Sequence, residues 1–233
     1  MPRRKPQFSG GLIFHVLNRG VRRMQLFDRD GDYRAYLNLF AKAQRRVPVK
    51  CLAYCLMPNH FHFVLRPDAD GDMSRFMFWL STVHAKRWHL AHGSHSNGHV
   101  YQGRFKAFAV CEDGHFLRVC RYVERNPMRA GLVGLAQDWP WSSLAQRGHG
   151  RQAVQLTDWP VERPAAWDDL VNDVETDAKE IREAIRRSSP FGPDRWRQRV
   201  ARELEIERTL RAPWRPKEPK PGLLFAAEIG RKK

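Results

Sequence analysis

The order of strand-like and helix-like segments around one hairpin limits the fold of this chain more than any other sequence feature. Two apolar runs of strand length, residues 49–56 and 61–65, are separated by a Pro58-Asn59 dipeptide. Pro followed by Asn is a turn signal, and apolar runs on both sides of such a signal are typical of an antiparallel pair. We therefore predict a β-hairpin here.

The segments on both sides of the hairpin alternate between strand and helix patterns. Apolar side chains recur at helical spacing before the hairpin and after it, and these runs end near Pro or Gly. The order β-α-β-β-α-β-α resembles the split βαβ, ferredoxin-like α+β arrangement, in which helices cover one face of an antiparallel sheet. We expect the other face to be free for a substrate. The predicted strands are residues 12–18, 49–56, 61–65 and 104–111, and the predicted helices span about 32–47, 73–90 and 116–126.

The character of the chain changes near residue 148, beyond which Pro, Trp and Arg dominate. We place a domain boundary there, with one domain over residues 1–148 and a basic C-terminal extension over residues 149–233. A helix is expected at about residues 166–187. The stretch from Arg195 onward is dense in Arg, Lys and Pro, so we expect its tail to be poorly ordered without a partner.

The charge balance favours a polyanionic partner. The chain has 41 Lys and Arg residues against 25 Asp and Glu residues, a formal net charge of +16 at pH 7. Nucleic acid is the first candidate, although a ribosome-associated or merely basic protein would have the same charge. In the extension, residues 195–199 and 211–217 interleave cations with aromatic rings, and we hypothesise that this arm aids DNA binding.

The cysteines and the apolar runs exclude other classes of protein. The four cysteines lack the paired short spacings of a zinc site and are expected to be reduced thiols. No apolar run approaches membrane-spanning length, and no apolar region follows the basic N-terminus. We expect a cytoplasmic protein, associated with the nucleoid if nucleic acid is its partner.

The sharpest local motif is Asn59-His60-Phe61-His62-Phe63. Side chains two residues apart on a strand project from the same face, so both imidazoles can reach one ion. The same pattern also arises by chance in structural or solvated histidines. Taken alone, His60 and His62 therefore leave the metal interpretation open.

A second set of candidate residues lies on the last predicted helix before Pro127. Tyr122 and Asn126 are four residues apart and share a helix face, so a nucleophile and an oxygen ligand could be presented together. A tyrosine hydroxyl has a pKa of about 10 and is a poor nucleophile near neutral pH, so such chemistry needs activation, which a divalent cation can supply. The alternative is a half-buried helix tyrosine with a surface partner.

At this point the sequence resembles a known family, the HUH transposases, named for two histidines that flank a hydrophobic residue, and within them the REP-associated tyrosine transposases. The resemblance covers residues 12 to about 147. Its metal motif is Met57-Pro-Asn-His-Phe-His-Phe-Val-Leu65, and four further blocks match in order: His15-Val-Leu-Asn-Arg-Gly20, Tyr101-Gln-Gly-Arg-Phe-Lys106, Arg121-Tyr-Val-Glu-Arg-Asn-Pro-Met-Arg-Ala130 and Trp139-Pro-Trp-Ser-Ser143.

The resemblance implies roles for individual residues. His60 and His62 would bind Mg²⁺ or Mn²⁺ with Asn126 as the third ligand, and Tyr122 would form a 5′-phosphotyrosine bond with DNA. Relatives with glutamine at the position of Asn126 leave that ligand open. His15 belongs to a matching block, but a single imidazole on an apolar strand is more often a core or supporting group, and we exclude it from the catalytic set.

Further basic and aromatic residues are candidates for DNA contact. They are Arg19, Arg104, Lys106, Arg129 and Tyr101. The alternative interpretation of the basic residues is a solvated face without a DNA contact. Trp139 and Trp141 could stack on unpaired bases, or they could pin the C-terminal segment to the core.

The resemblance therefore predicts a transposase-like enzyme that cleaves and rejoins single-stranded DNA near palindromic repeat hairpins, without a nucleotide cofactor. Two alternatives remain open: a replication- or conjugation-type HUH nuclease, which shares the chemistry, and a catalytically inactive nucleic-acid-binding or repressor protein on the same fold. We expect a monomer, with a dimer as the alternative because some transposases exchange the tyrosine helix between subunits.

Overall fold

The computed structural model describes residues 8–94, 98–149, 154–174 and 178–211 of the chain. These residues form an α+β fold built on one four-stranded sheet. The strands are β1 (Ile13–Arg19), β2 (Val49–Met57), β3 (His60–Pro67) and β4 (Lys106–Val110). The helices are α1 (Asp30–Arg46), α2 (Asp72–Ala91), α3 (Gly114–Glu124), α4 (Asn126–Arg129), α5 (Ser143–His149), α6 (Trp167–Asn172), α7 (Ala178–Arg187) and α8 (Asp194–Glu203).

The sheet has the strand order β2-β3-β1-β4, and all its neighbouring strands are antiparallel. This is the ferredoxin-like order, and it confirms the predicted fold class. The predicted hairpin is also confirmed, because β2 and β3 are joined through Pro58 and Asn59 and pair from Met57 with His60 onward. The pairing places Arg19 opposite His60 and Leu17 opposite His62.

The first face of the sheet is covered by α1 and α2. Alternate residues of β3, Phe61 and Phe63, enter this core and pack against Tyr36 and Phe40 of α1 and against α2. Both phenylalanines are fully buried. Burying a side chain of this size stabilises the fold by about 1.5–3 kcal/mol, so the apolar periodicity of the two helices is enough to fix them here.

The second face is not free, contrary to our expectation. It is covered by α3 and by α6 and α7 of the C-terminal extension, which pack in one apolar cluster with the sheet. Along each strand, the residues between those that face the first core point to this second face. They include Ile13, Val64 and Phe108, which are also apolar and fully or almost fully buried. A face of this composition has to be covered.

One expectation for the extension is corrected. The helix predicted at residues 166–187 is two helices, since α6 ends at Asn172 and the Asp173 side chain accepts the backbone N–H of Val174, a local bond that competes with the helix. The stretch from Arg195 begins within α8, and the expectation for its tail falls on residues outside the described ranges. Residues 1–7 and 212–233, with most of the predicted arm at 211–217, lie outside the described residues. The boundary near residue 148 stays a prediction.

The Trp-Pro-Trp-Ser-Ser block lies along the outer edge of β2. The Trp141 carbonyl accepts the Leu56 N–H at 2.9 Å, and the Trp139 indole donates to the Leu56 carbonyl at 2.8 Å. Trp141 is buried and stacks on Tyr33 of α1 at 4.8 Å. Both tryptophans therefore attach this segment to the sheet. Among the described residues, none of the helices is long and apolar enough to span a bilayer.

Candidate active site

The two histidines of the motif lie on one face of β3, as predicted. Their ring centres are 5.0 Å apart, and both project toward the second face while Phe61 between them enters the first core. His62 is buried, whereas His60, at the start of the strand, is half-buried. The face is therefore closed around His62 and more open toward His60.

Each histidine is oriented by a hydrogen bond at Nδ1. His62 Nδ1 lies 2.9 Å from Nε2 of His15, and His60 Nδ1 lies 2.6 Å from Oδ1 of Asn59. Nε2 is therefore the nitrogen that each ring could offer to a cation. A partner at the second ring nitrogen fixes the tautomer and direction of a ligating histidine. His15 thus supports His62 rather than acting as a ligand.

The electrostatic environment keeps these rings neutral. Burial lowers the pKa of His60 to about 4, with a further contribution from the guanidinium groups of Arg19 and Arg129. Burial, together with the neighbouring histidines, lowers the pKa of His62 well below its ordinary value, and burial lowers that of His15 to about 3. Neutral imidazole is the form that binds metal ions.

Tyr122 reaches the same place from α3. Asp113 caps this helix by accepting the backbone N–H of His115 at 2.8 Å, and the inner face of the helix packs its apolar residues on the sheet. The Tyr122 ring is 4 % exposed and lies 5.8 Å from the His62 ring. It is therefore not a tyrosine with a surface partner but part of the histidine cluster.

Arg129 joins Tyr122 to Asn126. Its guanidinium lies 4.2 Å from the centre of the Tyr122 ring and donates to Asn126 Oδ1 at 2.5 Å. The Asn126 amide nitrogen donates to the Tyr122 carbonyl at 2.9 Å. The oxygen predicted to bind a metal is thus engaged by an arginine, so Asn126 as the third ligand stays a prediction.

The candidate ligand atoms are compatible with a divalent cation, but their chemistry alone does not require one. Two imidazole nitrogens and an amide oxygen are compatible with Mg²⁺ or Mn²⁺, with positions left for water and phosphate oxygens. Within the described ranges, no group of three or more His, Cys, Asp or Glu side chains could hold a metal ion. Any ion here would therefore depend on His60, His62 and an oxygen from Asn126 or from a substrate.

The predicted cationic DNA contacts lie around this cluster. Arg19 is half-buried opposite His60, and its Nε is buried with no hydrogen-bond partner among the described residues. Lys106 pairs with Leu17, which pairs with His62, so the three side chains form one row across three strands. Lys106 and Arg104 are exposed. The row places Lys106 about 10 Å from His62.

Tyr101 is placed elsewhere. Its ring is 8 % exposed and packs in the first core, and its hydroxyl lies 2.7 Å from Nδ1 of His84. A ring enclosed in this way cannot stack on a base, so the predicted DNA contact through Tyr101 does not fit the arrangement.

Sequence reasoning missed two features beside the site. The first is Glu124, a fully buried carboxylate on the inner face of α3, signalled by its place four residues after the buried Cys120. The second is a turn in which Arg22 and Arg23 both have positive φ, of 50° and 64°. The Arg23 carbonyl accepts from Asn59, next to His60, at 3.4 Å. Local sequence gives no signal for this strained backbone.

Comparison with known proteins shows the family of this chain. The model of the family described as "Transposase IS200 like" matches residues 9–126. The REP-associated tyrosine transposase of Escherichia coli K12 is 26% identical over 146 residues, covering 60% of this chain and 81% of that protein. A Haemophilus influenzae protein, provisionally given the same name, is 24% identical over 149 residues, covering 58% of this chain and 81% of that protein.

A solved structure confirms the fold. It is the structure of a REP-associated tyrosine transposase bound to a REP hairpin, and it matches with a TM-score of 0.51 at 24% identity, covering 68% of this chain and 92% of that one. The family match spans half of the chain and includes β1, the histidine motif and Tyr122. The chain therefore belongs to the IS200-like transposase family and is similar to its REP-associated tyrosine transposases.

Proposed function

We propose that this chain is a metal-dependent enzyme that nicks and rejoins single-stranded DNA with Tyr122 as nucleophile. The observation that carries the proposal is the convergence of Tyr122, His60 and His62 on one face of the sheet, with Arg129 above the phenol ring. A structural tyrosine would not need two oriented, neutral histidines beside it.

The reaction is a phosphoryl transfer without net oxidation or reduction. The Tyr122 hydroxyl attacks the phosphorus and loses its proton to water, and the bond from phosphorus to the 3′ oxygen breaks. The 3′ oxygen takes up a proton and leaves as a free hydroxyl, while the DNA remains joined to Tyr122 through its 5′ phosphate. Because this covalent bond conserves the energy of the phosphodiester, a 3′ hydroxyl can later attack it and rejoin the strand.

The residues at the site have separate tasks in this step. Mg²⁺ or Mn²⁺ would be held by His60, His62 and Asn126, the last on condition that Arg129 gives up its hydrogen bond. When bound, the cation supplies positive charge that favours attack on the phosphate. Arg129 places a permanent charge over the ring of the phenol on which negative charge develops. Arg19 Nε, which has no hydrogen-bond partner among the described residues, would donate to a phosphate oxygen.

The proposed substrate is a single-stranded palindromic hairpin. The structural neighbour was solved with a REP hairpin, and the net charge of +16 together with the exposed Arg104 and Lys106 beside the site suits such a ligand. Phosphate contacts of this kind position the strand and make its binding sensitive to salt.

Two observations favour a second function, that of a binding protein without turnover. Tyr122 is almost completely buried, and Asn126 Oδ1 is bound by Arg129 rather than turned toward His60 and His62. A protein fixed in this arrangement would bind a hairpin and not cut it.

Labelled single-stranded hairpins from the flanks of the protein's own gene separate these functions. Hairpin binding and cleavage are measured for three samples. They are the wild type in Mn²⁺, His60→Ala in Mn²⁺, and the wild type with a chelator in place of Mn²⁺. Cleavage by the wild type alone, with binding by all three, supports the enzyme. Tight binding with no cleavage in any sample contradicts it and supports the binding protein.

A further inference from the structure

The C-terminal extension is bonded to the tyrosine helix along a stripe of three arginines. Arg118 pairs with Glu180 of α7 at 2.5 Å, and Arg121 donates to the carbonyl oxygens of Asp173 and Val174 at 3.0 Å. Arg125 donates to the Val171 carbonyl at 2.6 Å. These three positions recur along one side of α3 and α4, so the extension follows the helix past Tyr122.

Glu124 is bonded to two other segments at the centre of this contact. Its carboxylate is fully buried and accepts from the Ser143 hydroxyl at 2.5 Å and from the Trp167 indole at 2.7 Å. Ser143 in turn accepts the Tyr54 N–H of β2 at 2.9 Å. One side chain, two residues from the nucleophile, thus links α3 to α6, α5 and the sheet.

The chemistry of these contacts resists movement of α3. The Trp167 indole can only donate and needs an acceptor at Glu124, whereas the Ser143 hydroxyl lies 2.5 Å from Glu124 and 3.2 Å from the Tyr54 carbonyl. Burial raises the pKa of Glu124, and the two donors, with Arg147 and Arg163, oppose that rise. If α3 left the sheet, the buried Trp167 N–H would lose its acceptor at Glu124, which is strongly unfavourable.

Apolar packing acts in the same direction. Trp167, Val171 and Ile181 of the extension are buried in the cluster that holds Val119 and Val123 of α3. The family match ends at residue 126, so all the contacts from α6 and α7 come from a part of the chain beyond the shared core.

We propose that α6 and α7 form a clamp that holds the tyrosine helix on its own sheet, with Glu124 as the positioning residue at its centre. Tyr122 then works with His60 and His62 of the same chain, and exchange of the helix with a second copy is prevented. The functional part of this inference rests on the proposed tyrosine chemistry, whereas the clamp itself does not.

Hydrogen exchange of the full chain tests the clamp and does not depend on catalytic activity. Glu124→Gln and Trp167→Phe each remove one bond at the buried carboxylate, and Arg121→Ala removes a contact at the surface. We expect amide exchange in α3 to be about tenfold faster in these variants, with α1 unchanged. Glu183→Gln, an exposed glutamate on α7, and Trp88→Phe, on the other side of the sheet, are matched controls.

The clamp is contradicted if α3 exchanges at the wild-type rate in the variants that fold. It is also contradicted if α1 and α3 become faster by the same factor, because Glu124 would then support only global stability. Arg121→Ala keeps the test decisive if the buried substitutions prevent folding.

A mixing experiment tests the consequence for catalysis. Tyr122→Phe is combined with the double variant His60→Ala/His62→Ala, and cleavage of a hairpin is compared with that of the wild type. We expect no cleavage by the mixture, and restored cleavage would show that the helix is exchanged. Glu124→Gln alone should slow formation of the adduct about tenfold while hairpin affinity stays unchanged. If the wild type itself does not cleave, the proposed function fails and hydrogen exchange alone decides on the clamp.

Discussion

The guanidinium of Arg129 lies 4.2 Å from the centre of the Tyr122 ring and at the same time donates to Asn126. One cation thus contacts both the candidate nucleophile and the candidate oxygen ligand. It can stabilise charge on Tyr122, or it can compete with a metal for Asn126.

Replacing this cation tests which role dominates. If Arg129 stabilises charge that develops at the nucleophile, Arg129→Gln should reduce the single-turnover cleavage rate about 100-fold, since the loss of one preorganised donor has an effect of this order. The control is Arg66→Gln, which replaces a half-buried arginine of β3 that pairs with Glu112. A faster rate together with tighter Mn²⁺ binding would instead show that Arg129 blocks Asn126.

His15 should affect metal binding without touching the metal. Because its ring orients His62 through a 2.9 Å hydrogen bond, His15→Phe should weaken Mn²⁺ binding about 10- to 100-fold in a titration calorimeter. His84→Phe removes another buried histidine, on the first face of the sheet, and should leave Mn²⁺ affinity unchanged. Equal affinities in the wild type and His15→Phe would rule out this role.

Stability should fall in weak acid, partly because of His84. Burial lowers the pKa of His84 to about 4, with Asp32 opposing and His92 adding to the effect. His84 takes up a proton near pH 6.5 in the unfolded chain and only near pH 4 in the folded chain. Its contribution to the free energy of unfolding is therefore fully present above pH 6.5 and is lost as the pH falls toward 4. The contribution is about 3 kcal/mol.

The variant His84→Gln isolates this contribution. The free energy of unfolding, measured with urea, should fall less from pH 7 to pH 4.5 in the variant than in the wild type. Both proteins retain the other buried histidines. An identical loss in the two proteins would mean that His84 is not neutral when folded.

The exposed cations beside the site should act through phosphate contacts. Lys106→Ala should weaken hairpin binding, whatever the sequence, and reduce the slope of affinity against salt concentration by about one. Lys86→Ala, an exposed lysine on α2, is the matched control. If both variants have the wild-type slope, the DNA does not pass along the row from His62 to Lys106.

The parts of the fold that depend on local pattern could be predicted from the sequence. The β2–β3 hairpin follows from two apolar runs around Pro58-Asn59, and the placement of His60 and His62 on one face follows from the two-residue period of a strand. These signals lie within a few residues of each other, so no distant contact is needed to read them.

Features that depend on distant contacts could not be predicted in this way. The second face is covered because Trp167 and Ile181 pack against strands more than 50 residues away. Tyr101 follows an irregular loop but is buried in the first core, where its hydroxyl contacts His84 of α2. In each case the partner in space, rather than the neighbouring sequence, decides the environment of the side chain.

The central claim is that the phenol oxygen of Tyr122 is joined to DNA during the reaction. Wild-type protein and Tyr122→Phe are incubated with Mn²⁺ and a single-stranded palindrome, digested with protease and nuclease, and analysed by peptide mass spectrometry. The account predicts a nucleotide adduct on the peptide that contains Tyr122 in the wild type alone. An adduct on another residue, or cleavage by Tyr122→Phe at the wild-type rate, would contradict it.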